Sequence, residues 1–213
     1  MRGYAGDVVA LARKDLLLEL RSRDTIPAMP LFVVSALVVF HFALPAGASD
    51  LAAYGLLWVA LVFTALLGLV RAFVAEREES ILDGLVLAVR DLSAIWLGKG
   101  LSMVAFLSLA AALALPAFAL FFEPVGWTLV AAVLLANVGL AAVGTLLSAM
   151  AAASRARELL LPLLFLPIVI PLVVGGVGAT AADDPGRYLA FLGLYDLVFA
   201  ILSWASFEYV VTE

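Results

Sequence analysis

Apolar residues in this chain gather into long runs, and polar residues are confined to the short stretches between them. The runs cover approximately Thr25–Leu44, Leu51–Val74, Leu92–Phe122, Trp127–Ala153, Leu159–Gly178 and Tyr188–Val211. About 20 mostly apolar residues suffice for a helix to cross a bilayer. A membrane β-barrel would need apolar and polar positions to alternate with period two. Unbroken runs instead predict helices, which satisfy their own backbone hydrogen bonds in lipid. The turn Glu123-Pro124-Val125-Gly126 separates the third and fourth runs. Pro116 is expected to bend the third, and Gly175, Gly176 and Gly178 to end the fifth.

Composition strengthens the pattern. Apolar residues make up 66% of the 213 and charged residues 14%, with a mean hydropathy of +1.18. A soluble domain is typically about 45–50% apolar and about 25% charged. The expected fold class is therefore an all-α membrane protein with six transmembrane helices, forming one transmembrane domain over 1–213 and no soluble domain. The absence of cysteine excludes disulfides, thiolate metal sites and cysteine nucleophiles. Charges run throughout Met1–Ser22, so this segment does not read as a cleavable signal, and the first span is expected to serve as an uncleaved insertion signal.

The basic residues orient the spans. Arg2, Arg13, Lys14, Arg21 and Arg23 precede the first span. Arg71, Arg77, Arg90 and Lys99 flank the second loop, and Arg155 and Arg157 lie in the fourth. Of the 12 Lys and Arg residues, only Arg187 falls on the other side. The positive-inside rule then places both termini and loops two and four in the cytoplasm of a bacterial inner membrane. The outer loops are too short to fold into a receptor or catalytic domain.

Two cytoplasmic stretches remain for partners. Asp7–Arg23 reads as an interfacial helix with two apolar strips, Val9, Leu16 and Leu20 on one and Leu11 and Leu18 on the other. Two strips separated by charge suit a helix held between lipid and protein. An anchor whose basic residues meet anionic headgroups is a compatible reading. The second stretch, 75–91, opens with the acidic patch Glu76, Glu78 and Glu79 beside Arg77. It continues through Ile81, Leu82, Asp83 and Leu85 to Val89. Ile81, Leu82, Leu85 and Val89 would form one apolar stripe on a short helix, of the kind a groove on a soluble partner grips. The plainer alternative is a solvated connector with an interfacial apolar side.

Searches for chemistry give mostly exclusions. No G-x-x-x-x-G-K-[ST] phosphate loop exists: Gly98-Lys99 is followed by Gly100, and Ser93 stands at the first glycine position. With one histidine there is no H-E-x-x-H, and no G-x-S-x-G elbow occurs. No catalytic residue and no metal-ligand set is expected. His41, near the outer end of the first span, reads either as an axial ligand for haem iron or as an interfacial ring. Asp196 lies about a third of the way into the sixth span. An intramembrane carboxylate is a functional candidate by default, beside the alternative of a hydrogen bond between helices. Arg71 and Lys99 sit near cytoplasmic span ends and are expected to snorkel. Gly139, Ala141, Ala142, Gly144, Ser148 and Ala152 supply small residues for close helix approach. Pro162, Pro167 and Pro171 form a proline series in the fifth span.

These pieces, in order, resemble the CcmB family, the membrane subunits of the haem-exporter type of ABC transporter in cytochrome c maturation. The resemblance rests on Arg13-Lys14-Asp15-Leu16-Leu17-Leu18-Glu19-Leu20-Arg21-Ser22-Arg23, Leu57-Trp58-Val59-Ala60 and Arg71-Ala72-Phe73. It continues through Leu161-Pro162-Leu163, Ile168-Val169-Ile170-Pro171-Leu172 and Tyr188-Leu189-Ala190-Phe191-Leu192-Gly193. The chain departs from the family pattern in the second loop. Glu79-Ser80-Ile81-Leu82-Asp83 stands where an acidic pair and D-G-S-L-E are usual, Val89-Arg90-Asp91-Leu92 lacks prolines, and Val70 replaces an acidic residue.

The resemblance implies a type-2 ABC exporter permease, with an elbow helix over Asp7–Ser22 and a coupling helix over Glu76–Leu87. On it, Glu76, Arg77, Glu79, Ile81, Leu82, Asp83 and Leu85 would meet a separate cytoplasmic ATPase subunit, which holds the ATP. Two permease copies would pair with two ATPases, alongside a haem-handling membrane protein and a periplasmic haem chaperone. Haem would be the cargo, membrane lipids the surroundings, and nucleic acid no partner. ATP hydrolysis would be coupled to release of the haem-loaded chaperone or to haem translocation. The alternative within the same architecture is a permease for a lipid, polysaccharide or drug.

Overall fold

The computed structural model describes residues 3–21, 25–45, 47–78, 91–152 and 157–212. Among them the chain forms helices and no strand: α1 (Tyr4–Arg21), α2 (Thr25–Ala43), α3 (Asp50–Glu78), α4 (Ser93–Phe121), α5 (Trp127–Ala152), α6 (Arg157–Ala181) and α7 (Pro185–Thr212). Each of the last six follows one of the apolar runs to within a few residues. Helices α3 to α7 each contain a stretch of 20 residues or more that is long and apolar enough to cross a membrane. Helix α2 spans 19 residues, about 28 Å at 1.5 Å per residue, and Met29–Ala43 is its described apolar part. The chain is an all-α, multi-pass membrane protein.

Lipid supplies no hydrophobic force between helices, so close packing and internal hydrogen bonds must hold the bundle together. Helix α5 is the central member and packs against α3, α4, α6 and α7. Its buried face is mostly small, with Ala132, Ala136, Ala141 and Ala142, which lets neighbouring backbones approach. Larger side chains close the core from the other helices, among them Trp58, Phe118, Phe165 and Leu172. Buried hydroxyls turn back onto their own helices: Thr64 Oγ1 donates to the Ala60 carbonyl at 2.7 Å and Thr145 Oγ1 to the Ala142 carbonyl at 3.2 Å.

The glycines of the fifth span do not end it, because α6 continues to Ala181. A helix-ending glycine adopts positive φ, and among the described residues only Gly47 does so. The α6 glycines instead make room for neighbours. A Cβ on Gly176 would lie 2.1 Å from Trp58 Cζ2, and one on Gly178 would lie 2.3 Å from Tyr188. Pro162, Pro167 and Pro171 lie inside the same helix, and Pro116 lies inside α4.

Candidate functional site

The polar side chains that the apolar runs cannot explain fall at three levels. The first is the end of the bundle where basic residues gather. There a satellite core of Val8, Leu11, Ala94, Ile95 and Phe207 joins α1 to the start of α4 and the end of α7, apart from the main core. Lys99 is only 6% exposed and does not snorkel. Its Nζ lies 3.6 Å from Asp15 Oδ2, while Lys14 Nζ lies 3.1 Å from Asp15 Oδ1. Tyr4 Oη and Ser93 Oγ share a 3.0 Å hydrogen bond, and Trp96 Nε1 donates to Ser203 Oγ at 2.7 Å.

Asp91 opens α4 at this level. Its Oδ1 accepts the Ser93 N–H at 2.9 Å, occupying one of the open donors of the first turn. Hydrogen bonds from the Ser93 side chain and backbone hold the exposed Asp91 carboxyl below its ordinary value of 3.8. This cap is fully present above the unfolded value and is lost as pH falls through the depressed one.

The second level is part-way along the bundle. Asp196 on α7 is 7% exposed, and its Oδ1 has no hydrogen-bond partner among the described residues. It rests against α5 at Gly139, where a Cβ would come within 2.5 Å of that oxygen, with Leu172 of α6 alongside. Beside it, Tyr195 Oη donates to the Ile168 carbonyl at 2.8 Å and so ties α7 to α6. Asn137 Nδ2 donates to Ser108 Oγ at 3.3 Å, tying α5 to α4. Trp58 Nε1 is likewise buried with no hydrogen-bond partner among the described residues.

The third level is the opposite end, where His41 is exposed among aromatic rings. Its ring centroid lies 5.4 Å from Phe42 and 5.5 Å from both Phe121 and Phe122. A stack of Tyr54, Phe118 and Phe122 continues inward, with centroids 5.5 and 5.1 Å apart. His41 and Asp196 contact different elements, and the fold does not bring them together. Among the described residues, no group of three His, Cys, Asp or Glu is placed to hold a metal ion.

The candidates of the second loop fare differently. Glu76 and Arg77 sit on the last turn of α3, with side chains beyond those described, as are those of Arg71 and Glu208. Glu79, Ile81, Leu82, Asp83 and Leu85 lie outside the described residues.

Comparison with known proteins shows the lineage. The sequence signature of the CcmB protein matches residues 7–208. The chain belongs to the CcmB family. The heme exporter protein B of Paracoccus denitrificans is 33% identical over 183 residues, which cover 82% of this chain and 83% of that protein. The protein of the same name from Bradyrhizobium diazoefficiens is 30% identical over 178 residues, covering 81% and 80%. That from Pseudomonas aeruginosa is 33% identical over 138 residues, covering 62% and 60%. The CcmB match takes in α1 from Asp7 and almost the whole of α7, so the ion pair and the buried carboxyl both lie within it.

Among the pairings of this CcmB chain that sequence reasoning missed are Asp15 with Lys99, Trp58 with Gly176, and Tyr4 with Ser93. Only the first left a trace in the sequence, as a lysine set in an apolar run beside a glycine. For Asp196 the geometry makes a direct prediction. Asn has the shape of Asp, and Asp196→Asn removes no hydrogen bond made by Oδ1. It is expected to preserve insertion and assembly, with stability changed by no more than about 1 kcal/mol. Thermal melting of the detergent-solubilised protein measures this, and failure to assemble would make the carboxylate a structural tie instead.

Proposed function

We propose that this CcmB chain is the permease subunit of an ABC transporter complex that handles haem in cytochrome c maturation. The observation that carries the reading is the match of most of the chain to proteins named heme exporter protein B. Several features of the chain support it. The fold is a helical membrane bundle, the outer loops are short, and the sequence lacks a phosphate loop, so ATP hydrolysis falls to a separate cytoplasmic subunit. Residues 1–213 then act as one permease domain, with 1–23 as its elbow and 75–91 as its coupling loop. Glu76, Arg77, Glu79, Ile81, Leu82, Asp83 and Leu85 form the seat for the ATPase.

On this reading two copies of the chain pair with two ATPases in a bacterial inner membrane, with both termini cytoplasmic. A haem-handling membrane protein and a periplasmic haem chaperone complete the assembly. Haem is the cargo, and ATP on the partner subunit drives chaperone release or haem translocation. His41 at the outer end and Asp196 in mid-membrane are the intramembrane residues best placed to serve that work. Purification of the native complex tests the whole proposal. Mass identification of its partners should find an ABC ATPase, and the absorption spectrum should carry a haem band. A complex with an ATPase but with lipid or polysaccharide and no haem would overturn the cargo assignment.

A further inference from the structure

We propose that the Asp15–Lys99 pair locks α1 to the first turns of α4, so that the two helices move as one lever behind the loop at 79–90. The inference rests on the motor-docking reading of that loop. The satellite core of Val8, Leu11, Ala94, Ile95 and Phe207 is built separately from the main bundle core. Apolar contacts of this kind are non-directional and would tolerate sliding of α1 along α4. Two features remove that freedom. At Gly98 the helices touch backbone to side chain: a Cβ there would lie 2.8 Å from Leu11 Cβ and 3.3 Å from the Val8 carbonyl oxygen. One residue on, Lys99 reaches Asp15 from a site that is 6% exposed.

Lys99 is the buried partner, while Asp15 is 16% exposed and is shared with Lys14. An ion pair with a buried partner adds little net stability, because desolvation offsets its attraction, but it favours one register over its neighbours. The pair therefore sets where α1 sits on α4 more than how tightly it binds. Position makes this useful. Asp91 and Ser93, which open α4, directly follow the loop at 79–90, and the Tyr4–Ser93 hydrogen bond ties α1 to that same turn. The Trp96–Ser203 hydrogen bond extends the connection to α7. A displacement entering at residue 91 then reaches α1 and the end of α7 without passing through the central core. Asp15 and Lys99 act as positioning residues in this scheme.

The absence of cysteine makes a direct test available. In the complete permease–ATPase complex, Leu11→Cys provides the chain's only thiol at a site that is 8% exposed. A membrane-permeant maleimide should label it slowly. Adding Lys99→Met keeps the aliphatic stem and removes the charge. It should accelerate labelling by about tenfold or more, as expected when one partner of a buried pair is lost. ATP-driven output per ATP hydrolysed should fall by a similar factor, with the ATPase still bound. Because Lys14 also holds Asp15, at 3.1 Å, the exchange Asp15→Lys with Lys99→Asp is made in a Lys14→Ala background, where it should recover both toward the Lys14→Ala values, which a purely volumetric role would not. Unaltered labelling and unaltered coupling in Lys99→Met, with the ATPase retained, would overturn the lever alone. Absence of any ATPase beside the wild-type chain would overturn the motor reading beneath it.

Discussion

Gly176→Val is expected to lower sharply the amount of correctly folded protein in the membrane. A Cβ at this position would lie 2.1, 2.3 and 2.5 Å from Trp58 Cζ2, Cε2 and Cη2. Those atoms belong to a rigid ring that is 1% exposed. Neither side can yield cheaply: the glycine sits within a continuous helix, and the indole lies in the main core with Leu57, Leu61 and Val169. Gly176→Val adds three carbons. Extra methylenes in a filled core typically cost about 1–3 kcal/mol, and contacts this short put Val above that range. Total stability is commonly only about 5–15 kcal/mol, so such a cost removes much of what holds α3 to α6. The monodisperse fraction in size-exclusion chromatography after mild solubilisation reports the loss. Gly193→Ala is the matched control. No atom lies within 4 Å of a Cβ there, and Ala is favoured over Gly in a helix by about 1 kcal/mol. Combining Gly176→Val with Trp58→Ala should recover part of the folded fraction, since it empties the space the methyls need. A Gly176→Val protein as monodisperse as wild type would refute the close approach.

The same glycines show where sequence is informative and where it is not. The apolar runs located each span to within a few residues, because a lipid-facing helix must be apolar over most of its circumference and length. What sequence could not separate is the double use of glycine. It can terminate a helix through positive φ or admit a neighbour by lacking Cβ, and Gly175, Gly176 and Gly178 have the second use. Lys99 was ambiguous for a related reason. A lysine near a span end reaches headgroups unless something nearer takes its charge, and its partner Asp15 lies in a different helix far away in the chain. In α1 the expectation of a helix between lipid and protein agrees with the burial of Val8 and Leu11 and the exposure of Val9, Leu17 and Leu18. The second strip is only half covered: Leu11 and Leu18 share a face by spacing, yet only Leu11 is buried, because the contacts with α4 run from Tyr4 to Asp15. Asp196 was legible as a buried carboxylate, but its unpartnered Oδ1 against Gly139 depends on two helices meeting and leaves no trace in the sequence.

On the proposed reading of the second loop as the seat of an ATPase subunit, Leu82→Asp is expected to abolish recovery of that subunit with the permease while leaving membrane insertion unchanged. The argument begins with spacing. Ile81, Leu82, Leu85 and Val89 recur at helical intervals in a stretch otherwise rich in charge, and an apolar stripe of this kind engages a complementary groove. Leu82 is central in that stripe. Moving a carboxylate into an apolar groove without a counter-charge is far more costly than losing a methyl contact. The new charge would also join an acidic neighbourhood of Glu78, Glu79 and Asp83, raising repulsion rather than finding compensation. Central interface anchors contribute about 2 kcal/mol or more, which corresponds to a loss of roughly thirtyfold in affinity or greater. Insertion should be unaffected, because the substitution lies beyond the apolar stretch of α3 and adds no charge to any span. A pull-down from solubilised membranes, normalised to the permease recovered, measures the effect. Ser80→Asp adds the same charge two residues away, outside the apolar spacing, and should reduce recovery far less. Equal recovery of the ATPase with Leu82→Asp and with wild type would remove this loop from the motor interface and return it to the role of a solvated connector.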